Sequence, residues 1–128
     1  MARSKLKFED VREIGLTLPE VEVSTAYGAL ALKVRGKLMA CKAINKSAEP
    51  ESLGVRIDFE QRDALLAEAP ETYYLTDHYR PYTFVLVRLS RIGKDQLRDL
   101  LGASWRFVTA GMKQKAPAVK KRKPATRA

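Results

Sequence analysis

The sequence predicts an α+β domain, an antiparallel sheet with helices packed on one face, in the order α-β(3-4)-α-β(2)-α. Three observations carry that expectation. Short runs alternate apolar and polar residues at period 2, and they are grouped rather than interleaved one-for-one with helical segments, which favours hairpins over parallel crossovers. Two other segments, one at each end, carry apolar residues at helical spacing, and a third between the strand groups opens on a helix-capping signal. The chain has 128 residues, 45% hydrophobic and 30% charged, enough to bury a core as one domain without staples.

The elements follow in order. Phe8 to Leu16 places Phe8, Val11 and Ile14 near helical spacing, with Glu9 and Asp10 in the first turn, where the helix dipole favours acids; Leu18-Pro19 ends it. Thr25, Ala26 and Tyr27 suit a short strand, and Gly28 allows a break. Leu30, Leu32 and Val34 then alternate with Ala31, Lys33 and Arg35, and Arg35-Gly36-Lys37 turns the chain into a strand from Leu38 to Ile44. Asn45 to Glu51 is a polar loop, and Leu53, Val55 and Ile57 mark a further strand. Asp58 is a natural N-cap with Gln61 three residues on, starting a helix through about Glu68 that Pro70 closes. Gly93 leads into the last helix, from about Lys94 to Ala110, with Leu97, Leu100, Leu101, Trp105 and Val108 as its apolar stripe and Trp105 as a core anchor.

Between those last two helices lies the most informative stretch, Tyr73 to Leu89. It holds the single histidine and four of the five tyrosines. Thr83 to Leu89 alternates, with Val85 and Val87 on one face and Phe84, Leu86 and Arg88 on the other; Thr72 to Thr76 is a shorter partner. Asp77 to Pro81 reads as the turn, because Pro81 fixes its own φ and pushes Arg80 out of the helical region. A hairpin with a basic, aromatic tip is expected.

The formal net charge of +9 is unevenly placed. Three basic residues precede Phe8 and seven follow Gly111, so ten of the 24 lie outside residues 8–110, leaving 14 against 15 acidic residues, about −1. The domain is expected over residues 1–110. Residues 111–128, rich in Lys, Ala and Pro, read as a disordered basic tail in which Lys120, Lys121, Arg122 and Lys123 attract polyanions nonspecifically. One cysteine rules out an internal disulfide framework, and with one histidine it makes no familiar zinc site. Cys41 reads as a small buried hydrophobe. No apolar run approaches the ~18 residues of a membrane span and the N-terminus has no signal-peptide core, so a cytoplasmic protein with no cofactor and no membrane partner is expected, as a monomer or weak homo-oligomer.

If the apolar positions of the strands face the helices, Lys33, Arg35, Arg56 and Arg88 emerge together on the other face. Lys37 at one turn and His78, Tyr79 and Arg80 at the other then extend a surface suited to phosphates, with tyrosines to pack on sugars or bases. The expected function is DNA binding, mainly through the duplex backbone and with weak sequence specificity, since no helix start offers base-reading Arg, Asn or Gln. The alternative is a protein- or peptide-binding adaptor using Phe84, Leu86 and Tyr74 on the same face. A nucleic-acid site requires a continuous basic surface, a peptide site an apolar patch rimmed by charge. Catalysis is not expected: His78 and Asp77 are neighbours in a turn, and no nucleophile motif or paired carboxylate accompanies them.

The ordered segments VEVSTAYGALALKVRGKLMA, LGVRIDFEQRDALLAEAPETYYLTDHYRPYTFVLVRLS and LRDLLGASWRFV resemble the MmcQ/YjbR family of small bacterial proteins over roughly residues 8 to 110. The resemblance implies a compact α+β fold of the kind grouped with secretion-chaperone-like or CyaY-like domains, and a DNA-binding role. Residues that match the pattern are Gly36, Lys37, Asp58, Tyr74, His78, Tyr79, Arg88 and Trp105.

Overall fold

The computed structural model describes residues 6–115. Three helices and six strands run in the order α1 (Phe8–Gly15), β1 (Val21–Ala26), β2 (Ala29–Val34), β3 (Lys37–Lys42), β4 (Ser52–Arg56), α2 (Phe59–Glu68), β5 (Tyr73–Tyr74), β6 (Phe84–Arg88) and α3 (Lys94–Lys115). The strands form one antiparallel sheet ordered β1-β2-β3-β4-β6-β5. This is the α+β arrangement expected, with four strands before α2 and two after. The last helix continues to Lys115, past Ala110, so the expected boundary at 110 falls inside it. Lys120, Lys121, Arg122 and Lys123 lie outside the described residues.

Local chemistry fixes the element ends. The Asp10 carboxylate reaches back to the Lys7 N–H at 2.9 Å, and Asp58 accepts from the Gln61 N–H at 2.7 Å, each satisfying a donor at a helix start. The β1–β2 and β2–β3 connections are two-residue turns, Tyr27-Gly28 (φ 56° and 78°) and Arg35-Gly36 (φ 51° and 80°). Both central residues are left-handed, the form whose twist matches the flanking strands, and Gly takes the second position without steric cost. Pairing shifts between Leu32 and Lys33, which face Ala40 and Leu38, so Met39 bulges out of the ladder. Its carbonyl is not orphaned: Ser104 Oγ of α3 donates to it at 3.2 Å in a buried setting.

All three helices pack on one face. Leu32, Val34, Ala40, Leu53, Val55, Val85, Val87 and Tyr73 point there, against Phe8, Val11 and Ile14 of α1 and Leu97, Leu100, Leu101 and Val108 of α3, while Leu65 and Leu66 of α2 close one side. Leu30 shares the register of this face but lies near its edge, 44% exposed. Trp105 is only half-buried, and its Nε1–H donates to the Pro19 carbonyl at 2.9 Å, tying α3 to the segment after α1. A Cβ on Gly15 would sit 2.4 Å from Leu32 Cδ1, so the absence of a side chain there lets α1 approach β2.

Candidate functional site

The other face of the sheet carries Ala31, Cys41, Gly54, Leu86 and Tyr74 in one cross-strand row, with Arg56 beside Phe84 and Ser52 beside Arg88. Side chains in the middle of this row are small. The face is covered rather than open to a peptide at Phe84, Leu86 and Tyr74, as the adaptor alternative required: Leu86 and Ala31 are fully buried and Cys41 nearly so. Two connections fold over it, residues 43–51 between β3 and β4 and residues 75–83 between β5 and β6.

Each connection is pinned by polar contacts the strands position. Tyr74 on β5 accepts from the Glu49 N–H at 2.8 Å and shares a hydrogen bond with Ser52 Oγ, while Ser47 Oγ and Thr76 Oγ1 join the two connections to each other at 2.8 Å. Arg88 lies over the Tyr74 ring, 4.4 Å from its centroid, and makes a bidentate pair with the Glu49 carboxylate, both bonds at 2.8 Å. Its remaining Nη1 donates to the Pro70 and Glu71 carbonyls at 3.1 Å. The Arg88 hydrogen bonds hold the Glu49 carboxyl below its ordinary pKa. Arg62, the single buried residue of α2, donates from Nη1 to the Arg80 and Tyr82 carbonyls at 3.0 and 3.1 Å while its guanidinium lies 4.7 Å over the Phe59 ring. A buried cation thus clamps the connection 75–83 from beneath.

Between these connections and the sheet lies a trough of about 680 Å³. Cys41, Gly54 and Phe84 are its sheet residues; Tyr27 of the β1–β2 turn, Lys42 to Lys46, and His78, Tyr79 and Tyr82 make its walls. The aromatic groups brace one another: the His78 and Tyr79 rings meet edge-to-face with centroids 4.8 Å apart, and Tyr79 meets Phe84 the same way at 6.5 Å. Burial pushes the Tyr79 hydroxyl up, with a backbone hydrogen bond to Asn45 opposing, and burial also pushes the Cys41 thiol up. Of the lining residues, Lys46 and His78 bring side-chain nitrogen donors and none is a carboxylate; Lys42 is in register with Leu53 and so shares the helix-facing side of the sheet. Tyr27 and Tyr82 remain 79% and 58% exposed and Ile44 58%, so the trough keeps unpartnered apolar surface.

The residues singled out in the sequence therefore divide. His78 and Tyr79 line the trough. Lys33 and Arg56 are half-buried on the same sheet face but outside the lining. Arg35 occupies the exposed β2–β3 turn and pairs with Glu20, and Lys37 is exposed just past it, in register with Val34 and so not on this face. Arg80 is exposed near Asp77, 3.6 Å away. Arg88 is engaged with Glu49 and two carbonyls, which makes it a brace of the loops rather than a free phosphate donor. Tyr27, Lys42, Lys46, Gly54, Tyr82 and Arg62 were not singled out. The signal for Gly54 was present, since a glycine inside an alternating strand marks a place where something else approaches the backbone.

No group of three or more His, Cys, Asp or Glu side chains suited to a metal ion occurs among the described residues, and no helix among them is long and apolar enough to cross a membrane. Three mycobacterial proteins, the uncharacterised Mb2600 of Mycobacterium bovis and MT2646 and Rv2570 of Mycobacterium tuberculosis, are each 39% identical to the chain over 62 residues. That match covers 45% of the chain and 48% of each relative, so the chain matches about half of their length. The crystal structure of Deinococcus radiodurans protein DR2400, which carries the DUF419 domain, superposes with a TM-score of 0.70 over 94% of this chain and 90% of that one, at 22% identity, a likeness of fold. The YjbR family model matches residues 16–107, from the end of α1 through most of α3, and the chain belongs to the YjbR family.

Proposed function

We propose that this domain binds nucleic acid on the sheet face opposite the helices, as a binding module rather than an enzyme. The observation that carries the reading is the trough of about 680 Å³, whose lining combines four aromatic side chains with Lys46 and His78 and has no carboxylate. Cations beside exposed aromatic faces suit a ligand with phosphates and planar rings, because the charges neutralise the backbone while the rings stack. Lys33, Arg56 and Arg80 flank that surface, while Lys37 falls on the other side of the sheet and takes no part in it. The cations are scattered around one aromatic trough and do not form a stripe along a duplex, so sequence specificity is weak and phosphate contacts are few. The Cys41 thiol, buried and pushed up by that burial, supports a binding rather than a nucleophilic role. Cytoplasmic placement belongs to the same proposal: nucleic acid and a reduced Cys41 are both found there, and cell fractionation checks it.

The test is a salt series of binding isotherms for the full chain, for Lys46→Gln, and for a variant with Lys120, Lys121, Arg122 and Lys123 changed to Gln. Losing one phosphate contact should flatten the log–log salt slope by roughly 0.7–0.9. If only the tail variant loses affinity, nucleic-acid binding by the folded domain is refuted. The exposed Tyr27, Ile44 and Tyr82 would then point to a peptide-binding adaptor.

A further inference from the structure

Resting on the nucleic-acid reading, we infer that the trough is a pocket for one unstacked base of a single strand, with Lys46 on an adjoining phosphate. Its volume of about 680 Å³ lies within the ~300–1,000 Å³ typical of pockets that enclose small ligands. It is concave, with Tyr27 on one wall and His78, Tyr79 and Tyr82 on the other, standing above Gly54 and Phe84. The bases of an intact duplex are stacked inside it and cannot descend between those walls; an unpaired base has both faces free to meet aromatic rings. Depth at the sheet depends on Gly54. A Cβ there would meet the Cys41 carbonyl oxygen, the Phe84 ring and Leu86 at 3.7, 3.8 and 3.9 Å, ordinary contact distances, so the site accepts a side chain sterically and holds none. Glycine in the interior of a strand costs about 0.5–1 kcal/mol relative to alanine, so packing of the fold gives no reason to keep it. The missing side chain leaves room for a ligand ring. Charge agrees, since the lining offers Lys46 and His78 and no acid to repel a phosphate.

The experiment is calorimetric titration of the full chain, with Lys120, Lys121, Arg122 and Lys123 changed to Gln to silence the tail. The titrants are an unlabelled oligothymidylate and a blunt duplex of equal length. The single strand should bind more tightly. Gly54→Ile, whose β-branched side chain suits β4 and fills the trough, should weaken single-strand binding tenfold or more while leaving duplex binding unchanged, and Gly54→Ala should fall between. Tyr82→Ala should cost the single strand roughly 5- to 140-fold, the range of one lost base stack, and serves if Gly54→Ile fails to fold. Equal affinity for both nucleic acids, or no effect of Gly54→Ile and Tyr82→Ala while Lys46→Gln weakens both ligands, overturns the base pocket and leaves a phosphate-contacting surface standing. Loss in none of these variants overturns the nucleic-acid reading as well.

Discussion

Replacing Arg62 with methionine tests how the connection 75–83 is held over the sheet. Methionine keeps an unbranched apolar stem in the space the arginine stem occupies, so the change isolates the guanidinium. That group donates two hydrogen bonds, 3.0 Å to the Arg80 carbonyl and 3.1 Å to the Tyr82 carbonyl, and caps the Phe59 ring at 4.7 Å. Hydrogen bonds to a charged group are worth about 1.5–3 kcal/mol each. Here the lower end applies, because Arg80 and Tyr82 are exposed and their carbonyls regain water when released, and removing a buried cation also recovers desolvation free energy. The neighbouring Asp63 contact at 3.3 Å adds little, since Asp63 is 66% exposed. The expected cost is about 2 kcal/mol. Urea unfolding reads it as a lower midpoint at unchanged m-value, and amide exchange should speed up selectively at Tyr79, Arg80 and Tyr82, whose N–H groups bond within the connection. A midpoint shift worth less than about 0.5 kcal/mol, together with unchanged exchange in that segment, would refute the clamp.

Other outcomes follow from the same geometry. Tyr74→Phe removes the hydroxyl that accepts from the Glu49 N–H and bonds Ser52, and should cost about 1–2 kcal/mol in urea unfolding. The Glu49 pKa is depressed by Arg88, so the contribution of that pair is present above the ordinary glutamate range and is lost as pH falls through the lowered folded value. Glu49→Gln should therefore lie below the wild type in stability at neutral pH and converge with it in acid, as followed by thermal unfolding across pH. Cys41, buried with its thiol pushed up, should react with iodoacetamide at pH 8 far more slowly in the native than in the urea-unfolded protein. Asp58→Ala removes the α2 cap and should cost about 0.5–2 kcal/mol by chemical denaturation.

The sequence by itself determined the elements and their faces. Alternation of Leu32 and Val34, Leu53 and Val55, and Val85 and Val87 is a local property of a pleated strand, so it predicted which side meets the helices. The Asp58 cap and the stripe Leu97, Leu100, Leu101 and Val108 acted equally locally. Only the tertiary structure decided what covers the opposite face. Arg88 sits on the side of the sheet its alternation required, but the Glu49 that pairs with it is 39 residues away, and no periodicity relates a loop to the strand it will lie across. The trough has the same origin. Tyr27, Lys42, Gly54 and Tyr82 come from a turn, a strand end, a strand centre and a loop, and they converge only because the sheet order places β3 beside β4 and β4 beside β6, with both connections folded back over that junction. Arg62 makes the point most sharply. In the sequence it is one charge on an ordinary helix, and its burial follows from the carbonyls of a segment 18 and 20 residues further on.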